Sequence, residues 1–484
     1  MQNSLKIQSR SRQASVPLIS RLLNPLLWIV FFMSLIGLVV YLSQDEVWHL
    51  GTYIRLNGLS FVMISTVTFF GALISHFSNN YLRGFKYQHF FSYYSLGFIC
   101  AVILFVISNH ALLIIFSWYF MGVFMAKLIG VNSDWGEARA SARVAMLYFL
   151  GSTIALIISL GILIYFTNSF FLEEIFQALE SVPYAFLLVS ALFLIVAGLI
   201  QSALFPFHKW LLSAMTSPTP ASALMHAGFI NGAGVLFTIF AAVLVASDTL
   251  ALLFVLGGFT AIFAQFVKLL QVNVKHKLAC STIAQMGFMV MQCGLGFFNA
   301  AIAHLILHGF YKAYLFLSSG EQIEMRSPQV PARIRIQVIQ GIIIVLFGLV
   351  GGGLFMWMTS KTSLTSTSIF LTIVVAITVG QTSLNIIKEP SMNYAKRIGL
   401  SLALFIAGIA MYALVYNGIS YILQDVSYSL FPHKLTYAEI IFGVLFLVGF
   451  LLMRIGIYRK TPWLYVKLLN ITQPHQTTVL KFKK

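Results

Sequence analysis

Three ionisable side chains lie on one apolar segment of the chain, residues 301–320. His304, His308 and Lys312 follow one another at intervals of four residues, so a helix places them on a single face. A charged group at mid-membrane costs roughly 2.5 to 3.5 kcal/mol on an insertion scale, and groups kept there commonly serve an ion or proton path. Histidine exchanges protons near neutral pH, and burial disfavours the charged form of lysine. The spacing therefore predicts a buried proton pathway.

Two other interpretations of this face stay open. The histidines also suit packing inside a helical bundle, with the lysine extending its amine toward the membrane surface. Two histidines one turn apart could share a metal ion, although Lys312 would repel a cation there and no carboxylate precedes Glu321 on the helix. The sequence has no phosphate loop, dinucleotide-binding glycine pattern, haem or cluster cysteines, or hydrolase elbow. We therefore expect no metal, no cofactor and no covalent catalysis in this chain.

The composition is that of a polytopic membrane protein. Of the 484 residues, 59% are hydrophobic and 9% are charged, whereas soluble domains carry about 25% charged residues. Mean hydropathy is +0.90. A net charge of +17 would suggest nucleic acid in a soluble protein; here it is explained by position, because cytoplasmic loops collect Lys and Arg. We expect no nucleic-acid partner, and Cys100, Cys280 and Cys293 show neither pairing nor metal spacing.

The apolar segments predict an all-α fold of about fourteen transmembrane helices. A basic cytoplasmic arm, residues 1–21, precedes the transmembrane domain, residues 22–458, and a cytoplasmic tail, residues 459–484, follows it. The predicted spans are 22–43, 58–78, 90–108, 110–130, 144–167, 184–216, 221–246, 250–272, 278–296, 298–320, 337–358, 367–388, 398–418 and 437–458.

Charge placement supports this topology. With the N-terminus inside, the inward segments hold 26 of the 30 basic residues. The outward loops keep only Arg55, Lys361 and Lys434, and Lys312 lies within a span. Both termini are therefore predicted to be cytoplasmic, because inward loops of membrane proteins are rich in Lys and Arg.

The predicted span 184–216 is too long for one crossing and contains Pro206. Proline cannot donate to the carbonyl four residues earlier, so we expect the helix to break there, or to be simply kinked. Broken helices at membrane depth often line ion sites. The next helix carries His226, as a proton relay or as a packing residue. Lys275 lies about one turn outside a later span, as a proton entrance or as part of a basic loop.

Three stretches, SALFPFHKWLLSAMTSPTPASALMHAG, NVKHKLACSTIAQMGF and HLILHGFYKAYLFLSSG, resemble a known family. They are similar to the core of the antiporter-like proton-translocating subunits of respiratory complex I, Mrp-type Na+/H+ antiporters and membrane-bound hydrogenases. The resemblance covers residues 197–320. It implies two inverted five-helix repeats, each with a broken helix. It also implies proton-transfer roles for His226, Lys275, His304, His308, Lys312 and, through a looser match, Lys361.

The first repeat departs from the family pattern at three positions. The family's Trp-Glu-Gly segment is Trp118-Tyr119-Phe120 here, which puts Tyr119 in place of the glutamate. Gln201 replaces a lysine of the broken helix, and Ser152 lies near an acid of the family. Tyrosine and glutamine form hydrogen bonds but do not change charge near pH 7. Conduction is therefore expected mainly through the second repeat.

The stretches SWYFMGVFMAKLIGVNSDWGEARASAR and TPWLYVKLLNITQPHQTT are similar to one branch of this family. Its members are the inner-membrane subunits of bacterial two-component systems that accumulate inorganic carbon. The resemblance implies a cytoplasmic zinc protein like β-carbonic anhydrases as partner, whose hydration of CO2 is energised by H+ or Na+ flow. Two alternatives stay open: a subunit of a complex I, hydrogenase or Mrp-type assembly, and a non-conducting membrane anchor.

Overall fold

The computed structural model describes residues 16–44, 46–319, 350–359, 366–370, 372–373, 394–426, 428, 430–455, 462–471 and 473–478. Within these ranges the chain is mostly helical, as its composition predicts. Lys361 lies outside the described residues, as do most of the predicted arm 1–21 and large parts of the predicted spans 337–358 and 367–388.

Up to residue 319 every predicted span contains helix, and the predicted spans 184–216 and 221–246 are each divided into shorter helices. They are α1 (Leu18–Gln44), α2 (Gly58–Tyr81), α3 (Gln88–Ile107), α4 (Ala111–Ile129), α5 (Gly136–Thr167), α6 (Leu172–Gln177), α7 (Tyr184–Gln201), α8 (Lys209–Ser213), α9 (Thr219–Ala227), α10 (Gly232–Ile239), α11 (Ala241–Ala246), α12 (Leu250–Lys268), α13 (Val274–Gly294) and α14 (Phe298–Leu317). Further along the chain lie α15 (Tyr394–Ile422), α16 (Tyr437–Ile455) and α17 (Pro462–Ile471).

Ten helices in the described ranges are long and apolar enough to cross a membrane. Their outward surfaces are apolar, and α1, for example, exposes Ile29, Phe32 and Ile36 where a soluble protein would carry polar groups. The chain is thus a multi-pass membrane protein. The total of fourteen spans stays a prediction, because several of them fall outside the described residues.

The predicted span 221–246 is not one continuous helix. It is divided into α9, α10 and α11, with a 3-10 turn at Phe229–Asn231 between the first two. The Asn231 amide donates to the carbonyl oxygen of Ala227 at 3.0 Å, which satisfies a group that the helix interruption releases. Helix α9 ends at Ala227, one residue after His226, so the interruption follows directly after a predicted pathway residue.

The predicted break in the long span lies between α7 and α8. Helix α7 ends at Gln201 and α8 begins at Lys209, and Pro206, in a cis peptide bond, lies in the connection. The Trp210 indole donates to the carbonyl oxygen of Ile200 at 2.9 Å, so one carbonyl of the interrupted helix gains a side-chain donor. The predicted break is therefore present, and it separates the 18-residue helix α7 from the five-residue helix α8.

Helices α12 and α13 pack through glycines that allow close backbone approach. A Cβ atom on Gly257 would lie 2.5 Å from the Met291 nitrogen, and one on Gly294 would lie 2.2 Å from the Phe254 nitrogen. Both neighbours are backbone atoms, which cannot rotate away as a side chain can. The contact therefore fixes the position of α13, which carries Lys275.

Replacing Gly257 by valine should separate α12 from α13. Overpacking of this kind destabilises proteins by about 1–3 kcal/mol, and backbone neighbours leave little room for relaxation. We expect less protein in the membrane and a lower melting temperature of the detergent-purified chain. Gly161→Val is the matched control, because no atom lies within 4 Å of a Cβ at Gly161. Equal melting temperatures for the two variants would contradict this account of the contact.

A short β-hairpin, which the sequence patterns did not predict, connects α1 to α2. Strands β1 (Trp48–Leu50) and β2 (Ile54–Leu56) pair antiparallel. We call the end of the bundle where α2, α14 and α16 begin the outer end, and the opposite end the inner end, after the predicted topology. Asn57 then caps α2, its side chain accepting from the Ser60 amide at 3.0 Å. The hairpin thus covers the outer end beside α2.

A buried ion pair organises the outer end of α16. His433 Nε2 lies 2.8 Å from the carboxylate of Glu439, which is fully buried. The Thr436 amide donates to the other oxygen of this carboxylate at 2.8 Å. The same loop reaches the turn between α13 and α14, where the Phe431 amide donates to the Gly296 carbonyl at 2.7 Å. The pair therefore holds a loop that rests against the helix with the predicted pathway.

Stability should fall when the pH rises past the titration of His433. The hydrogen bond to Glu439 raises the pKa of His433 above its ordinary 6.5, although burial opposes this. The stabilisation is therefore complete below about pH 6.5 and lost above the raised value. We expect the melting temperature at pH 8.5 to be about 2–4 °C below that at pH 6. His433→Gln should remove this difference, and an unchanged slope in that variant would assign it to other groups.

Candidate proton pathway

Lys312 is fully buried inside the bundle rather than extended to the membrane surface. Its amine donates to the carbonyl oxygen of Leu278 at 3.0 Å and to the Ser281 hydroxyl at 2.7 Å, both on α13. Among the described residues, no carboxylate lies within ion-pair distance of this amine. Hydrogen bonds to neutral acceptors compensate only weakly for the lost hydration of a buried ammonium. The charge state of Lys312 therefore depends on the groups around it.

The two histidines of α14 continue the line from Lys312 toward the outer end. The ring centroids of His304 and His308 lie 6.0 Å apart, and the planes are nearly parallel at 23°. Both ring nitrogens of His308, and Nε2 of His304, are buried without a hydrogen-bond partner in the described part of the chain. Such groups cost about 1–3 kcal/mol each when left dry, so they are expected to bind water. The predicted face thus carries three buried ring nitrogens whose hydrogen-bonding capacity is not used by the described residues.

His226 joins this line from another helix. It is fully buried on α9, and its ring stacks on Phe316 of α14 with centroids 4.3 Å apart. Both of its nitrogens also lack a partner among the described residues. Helices α9 and α14 pack directly on each other, so the interrupted span and the pathway helix share this imidazole.

Lys275 lies where the path would meet the inner end. Its amine donates to the Ser217 carbonyl at 2.9 Å, in the SPTP segment that opens α9. Asn273 caps α13 by accepting from the Lys275 amide at 2.9 Å. Leu278, whose carbonyl oxygen accepts from the Lys312 amine, is three residues further along α13. Lys275 is half-buried and still reaches the aqueous edge.

Lys275→Ala should slow conduction, and Lys277→Ala should not. Lys277 lies two residues away on the same helix and is exposed, so it matches the charge but not the contact with Ser217. We expect the Lys275 variant to lose about tenfold in proton flux, equivalent to roughly 1.4 kcal/mol on the barrier. The measurement is the initial rate of pH change in vesicles after a voltage jump. Equal rates in the two variants would remove Lys275 from the pathway.

Two of the positions that depart from the family pattern, Ser152 and Tyr119, make contacts with neutral side chains. The Trp118 indole donates to the Ser152 hydroxyl at 2.9 Å, and that hydroxyl donates to the Ala197 carbonyl at 2.8 Å. Ser152 is therefore satisfied without any ionisable partner. Tyr119 is partly exposed and packs edge-on against Phe120. This part of the first repeat holds its helices together through neutral hydrogen bonds.

Gln201, at the break in the long span, differs from Ser152. It is buried, and neither atom of its amide has a hydrogen-bond partner among the described residues. Its side chain lies against Gly232, where a Cβ atom would come within 3.1 Å of the Gln201 Cγ. The amide can bind water but carries no charge to transfer.

Five polar residues that the sequence patterns did not single out lie near the outer end of α13 and α14. Gln292 of α13 donates to the Tyr412 hydroxyl of α15 at 3.2 Å. Asn299 of α14 donates to the Tyr416 hydroxyl at 3.0 Å and to the Ser420 hydroxyl at 2.6 Å. We call these five residues the tyrosine seam. Gln292 and Asn299 are polar amides within apolar spans. That placement is visible in the sequence and could have indicated a buried polar site.

A cavity of about 60 Å³ lies at the outer end, lined by residues of the hairpin, α2, the α3–α4 connection, α6, α10 and α11. The Arg55 guanidinium lies there, 3.3 Å from Glu173 and 3.9 Å from Asp425. Asn57 and Asn109 also line or border the cavity. Burial raises the pKa of the Asp425 carboxyl, and the neighbouring Tyr41 and Arg55 oppose that shift. The described ranges contain no group of three or more His, Cys, Asp or Glu side chains arranged to hold a metal ion.

Comparison with known proteins identifies relatives of this arrangement. Residues 108–340 match the family model described as NADH:quinone oxidoreductase/Mrp antiporter, transmembrane. A probable inorganic carbon transporter subunit DabB of Hydrogenovibrio crunogenus is 31% identical over 300 residues, which are 61% of this chain and 58% of that protein. DabB1 of Halothiobacillus neapolitanus is 34% identical over 301 residues, 59% of this chain and 54% of that protein. NADH-quinone oxidoreductase subunit L of Escherichia coli is 34% identical over 284 residues, 57% of this chain and 46% of that protein.

The matches span about half the length of these curated relatives. Among solved structures, the Mrp complex from Dietzia sp. DQ12-45-1b contains a chain with a TM-score of 0.64 at 20% identity. That likeness covers 94% of this chain and 56% of the other. A chain of the archaeal membrane-bound sulfane sulfur reductase reaches a TM-score of 0.57 at 16% identity, over 96% and 94% of the two chains. At these identities the structures support the fold alone.

Proposed function

We propose that this chain conducts protons as a membrane subunit. The match of residues 108–340 to the model of NADH:quinone oxidoreductase and Mrp antiporter transmembrane segments supports this proposal. The observation that carries the proposal is the buried Lys312 amine, held by two neutral acceptors below His308. A lysine without a counter-ion can alternate between charged and neutral forms at small cost, since no partner charge must be separated from it. The histidines then relay the proton through water.

Protons are the favoured ion over Na+. Hard cations such as Na+ are held by several oxygen ligands, often carboxylates. The face formed by His226, His304, His308 and Lys312 offers nitrogen groups instead, and an ammonium would repel Na+. Replacing H+ by Na+ as the only gradient across vesicles should therefore give no flux.

We propose inorganic carbon uptake as the process that the proton flow energises. Support comes from the relatives that are named probable inorganic carbon transporter subunits DabB and DabB1. The partner would be a DabA-like zinc protein on the cytoplasmic face of the bacterial inner membrane, with which the chain forms a heterodimer. Catalysis and zinc would belong to that partner, and this chain would supply the ion path.

A protonophore separates this proposal from the non-conducting anchor. Cells that depend on the protein for bicarbonate accumulation should lose it within minutes of protonophore addition, at an unchanged ATP concentration. The control is a mutant strain carrying an unrelated, ATP-driven bicarbonate importer. Uptake that continues through the intact protein after the gradient has collapsed would favour the anchor, which needs no ion flow.

Co-purification decides between carbon uptake and a respiratory or antiporter assembly. The family match and the resemblance to subunit L keep the second function in view. A tagged chain isolated in mild detergent should bring down one large zinc-containing protein. Recovery of several membrane subunits instead would assign the chain to a complex I, hydrogenase or Mrp-type assembly.

A further inference from the structure

We propose that the tyrosine seam is the outer half of the proton path, leading from His304 to the cavity beside Asp425. This inference rests on the proposed proton conduction and extends it to residues on α15. It starts from two buried polar atoms on adjacent helices that lack partners in the described part of the chain, Nε2 of His304 and Oε1 of Gln292. Such atoms bind water when they can, so a water-filled step between the two helices is expected.

The first step joins α14 to α13. The His304 ring lies 5.3 Å from that of Phe288, and Gln292 is one helical turn beyond Phe288 on the same face of α13. One turn corresponds to about 5.4 Å along the helix axis. Gln292 is fully buried, so any water that connects its amide to the His304 imidazole lies inside the bundle.

The second step runs along α15. Gln292 donates to Tyr412, and Tyr416 is one turn closer to the outer end on the same face. Asn299 joins Tyr416 to Ser420, which is a further turn along. A hydroxyl group both donates and accepts, so a row of hydroxyls and waters can pass a proton without holding a fixed charge. Tyr416 is also part of an apolar cluster with Phe254 and Phe355, which confines this row.

The third step reaches the outer surface. Helix α15 ends at Ile422, and a Cβ atom on Gly58 would lie 1.9 Å from the Ile422 carbonyl oxygen, so α2 begins directly against α15. Asn57, the residue before Gly58, lines the cavity at the outer end together with Val426. In the sequence, Asp425 follows Ile422 and directly precedes Val426, which lines the cavity. The Asp425 carboxyl lies close to the Asn57 side chain. The seam therefore ends next to the residues that line this cavity, beside a carboxylate whose two oxygens are buried.

The test removes two hydroxyls and leaves the aromatic packing. Tyr412→Phe/Tyr416→Phe is compared with Tyr421→Phe, a change on the same helix at a side chain that is 59% exposed. Proton flux is measured in vesicles that contain the full chain with its co-expressed partner. We expect at least a tenfold fall for the double variant, equivalent to about 1.4 kcal/mol on the barrier, and the wild-type rate for the control. Wild-type flux in the double variant would overturn the seam.

A solvent isotope effect separates transfer from packing. If the seam carries the proton, its impairment makes that step rate-limiting, and the ratio of the flux in H2O to that in D2O should rise above the wild-type ratio. A lower flux with an unchanged ratio would assign the tyrosines to structure and overturn the proposal. Should the double variant be missing from the membrane, Ser420→Ala, which deletes a single hydroxyl, is measured in the same way.

Lys312→Ala is measured in parallel to keep the two proposals apart. If this variant conducts normally, proton conduction by the chain fails and the seam fails with it. If Lys312→Ala abolishes flux while the double tyrosine variant keeps it, only the route through α15 is wrong.

Discussion

Lys312→Ala is expected to abolish bicarbonate accumulation while the protein remains in the membrane at wild-type amount. The amine of Lys312 is the one group on the α14 face that both carries a full charge and bonds to α13. Alanine removes the charge and leaves the Leu278 carbonyl and the Ser281 hydroxyl facing a small cavity that water can fill. We expect proton flux to fall at least a hundredfold, roughly 2.7 kcal/mol on the barrier.

Two companion variants show that titration, rather than charge alone, is required. Lys312→Arg keeps a positive charge, but a guanidinium does not release its proton in proteins, so conduction should stay lost. Lys127→Ala removes a lysine at the exposed end of α4 and should leave both uptake and flux unchanged. Conduction by Lys312→Arg at the wild-type rate would mean that the charge has a static role.

The sequence predicted the elements that bear the pathway because their signals are local. Apolar runs of about twenty residues define spans, and an ionisable group inside such a run stands out at once. The spacing of His304, His308 and Lys312 therefore indicated one helical face without any tertiary information. The over-long span with Pro206 likewise contained its own sign of interruption, and the structure has two helices there.

Other features depend on contacts between distant segments and left no such sign. Strands β1 and β2 are three residues each, too short for an alternating pattern to be recognised. Tyr412 and Tyr416 are two of 20 tyrosines in a chain whose membrane interfaces favour aromatic residues, so their type alone says little. Their importance appears only when Gln292 and Asn299 are seen to bond to them. The interruption after α9 was also not predicted, although the hydrogen bond from Asn231 to Ala227 that stabilises it is local.

The neutral side chains around Ser152 have a physical explanation in the fold. Ser152 and Trp118 tie three helices together through a closed, neutral set of hydrogen bonds. A carboxylate in that position would be buried without a cation, at a cost of several kcal/mol. The second repeat has the opposite character, with unpartnered imidazoles around one amine. The asymmetry is consistent with a single conducting half supported by a structural one.

His308→Gln should reduce proton flux at least tenfold, about 1.4 kcal/mol on the barrier, because the relay between Lys312 and His304 would lose its titrating ring. Glutamine keeps a polar side chain of similar reach and can still bind water, but its amide does not take up a proton near neutral pH. His76→Gln, at an exposed position on α2, is the matched control. If the pathway runs past His308 through water alone, the two variants will conduct equally, and the imidazole would then be a packing residue. A loss of flux in the His308 variant only, at equal membrane amounts and equal melting temperatures, would instead indicate that the His308 ring binds each proton that is conducted.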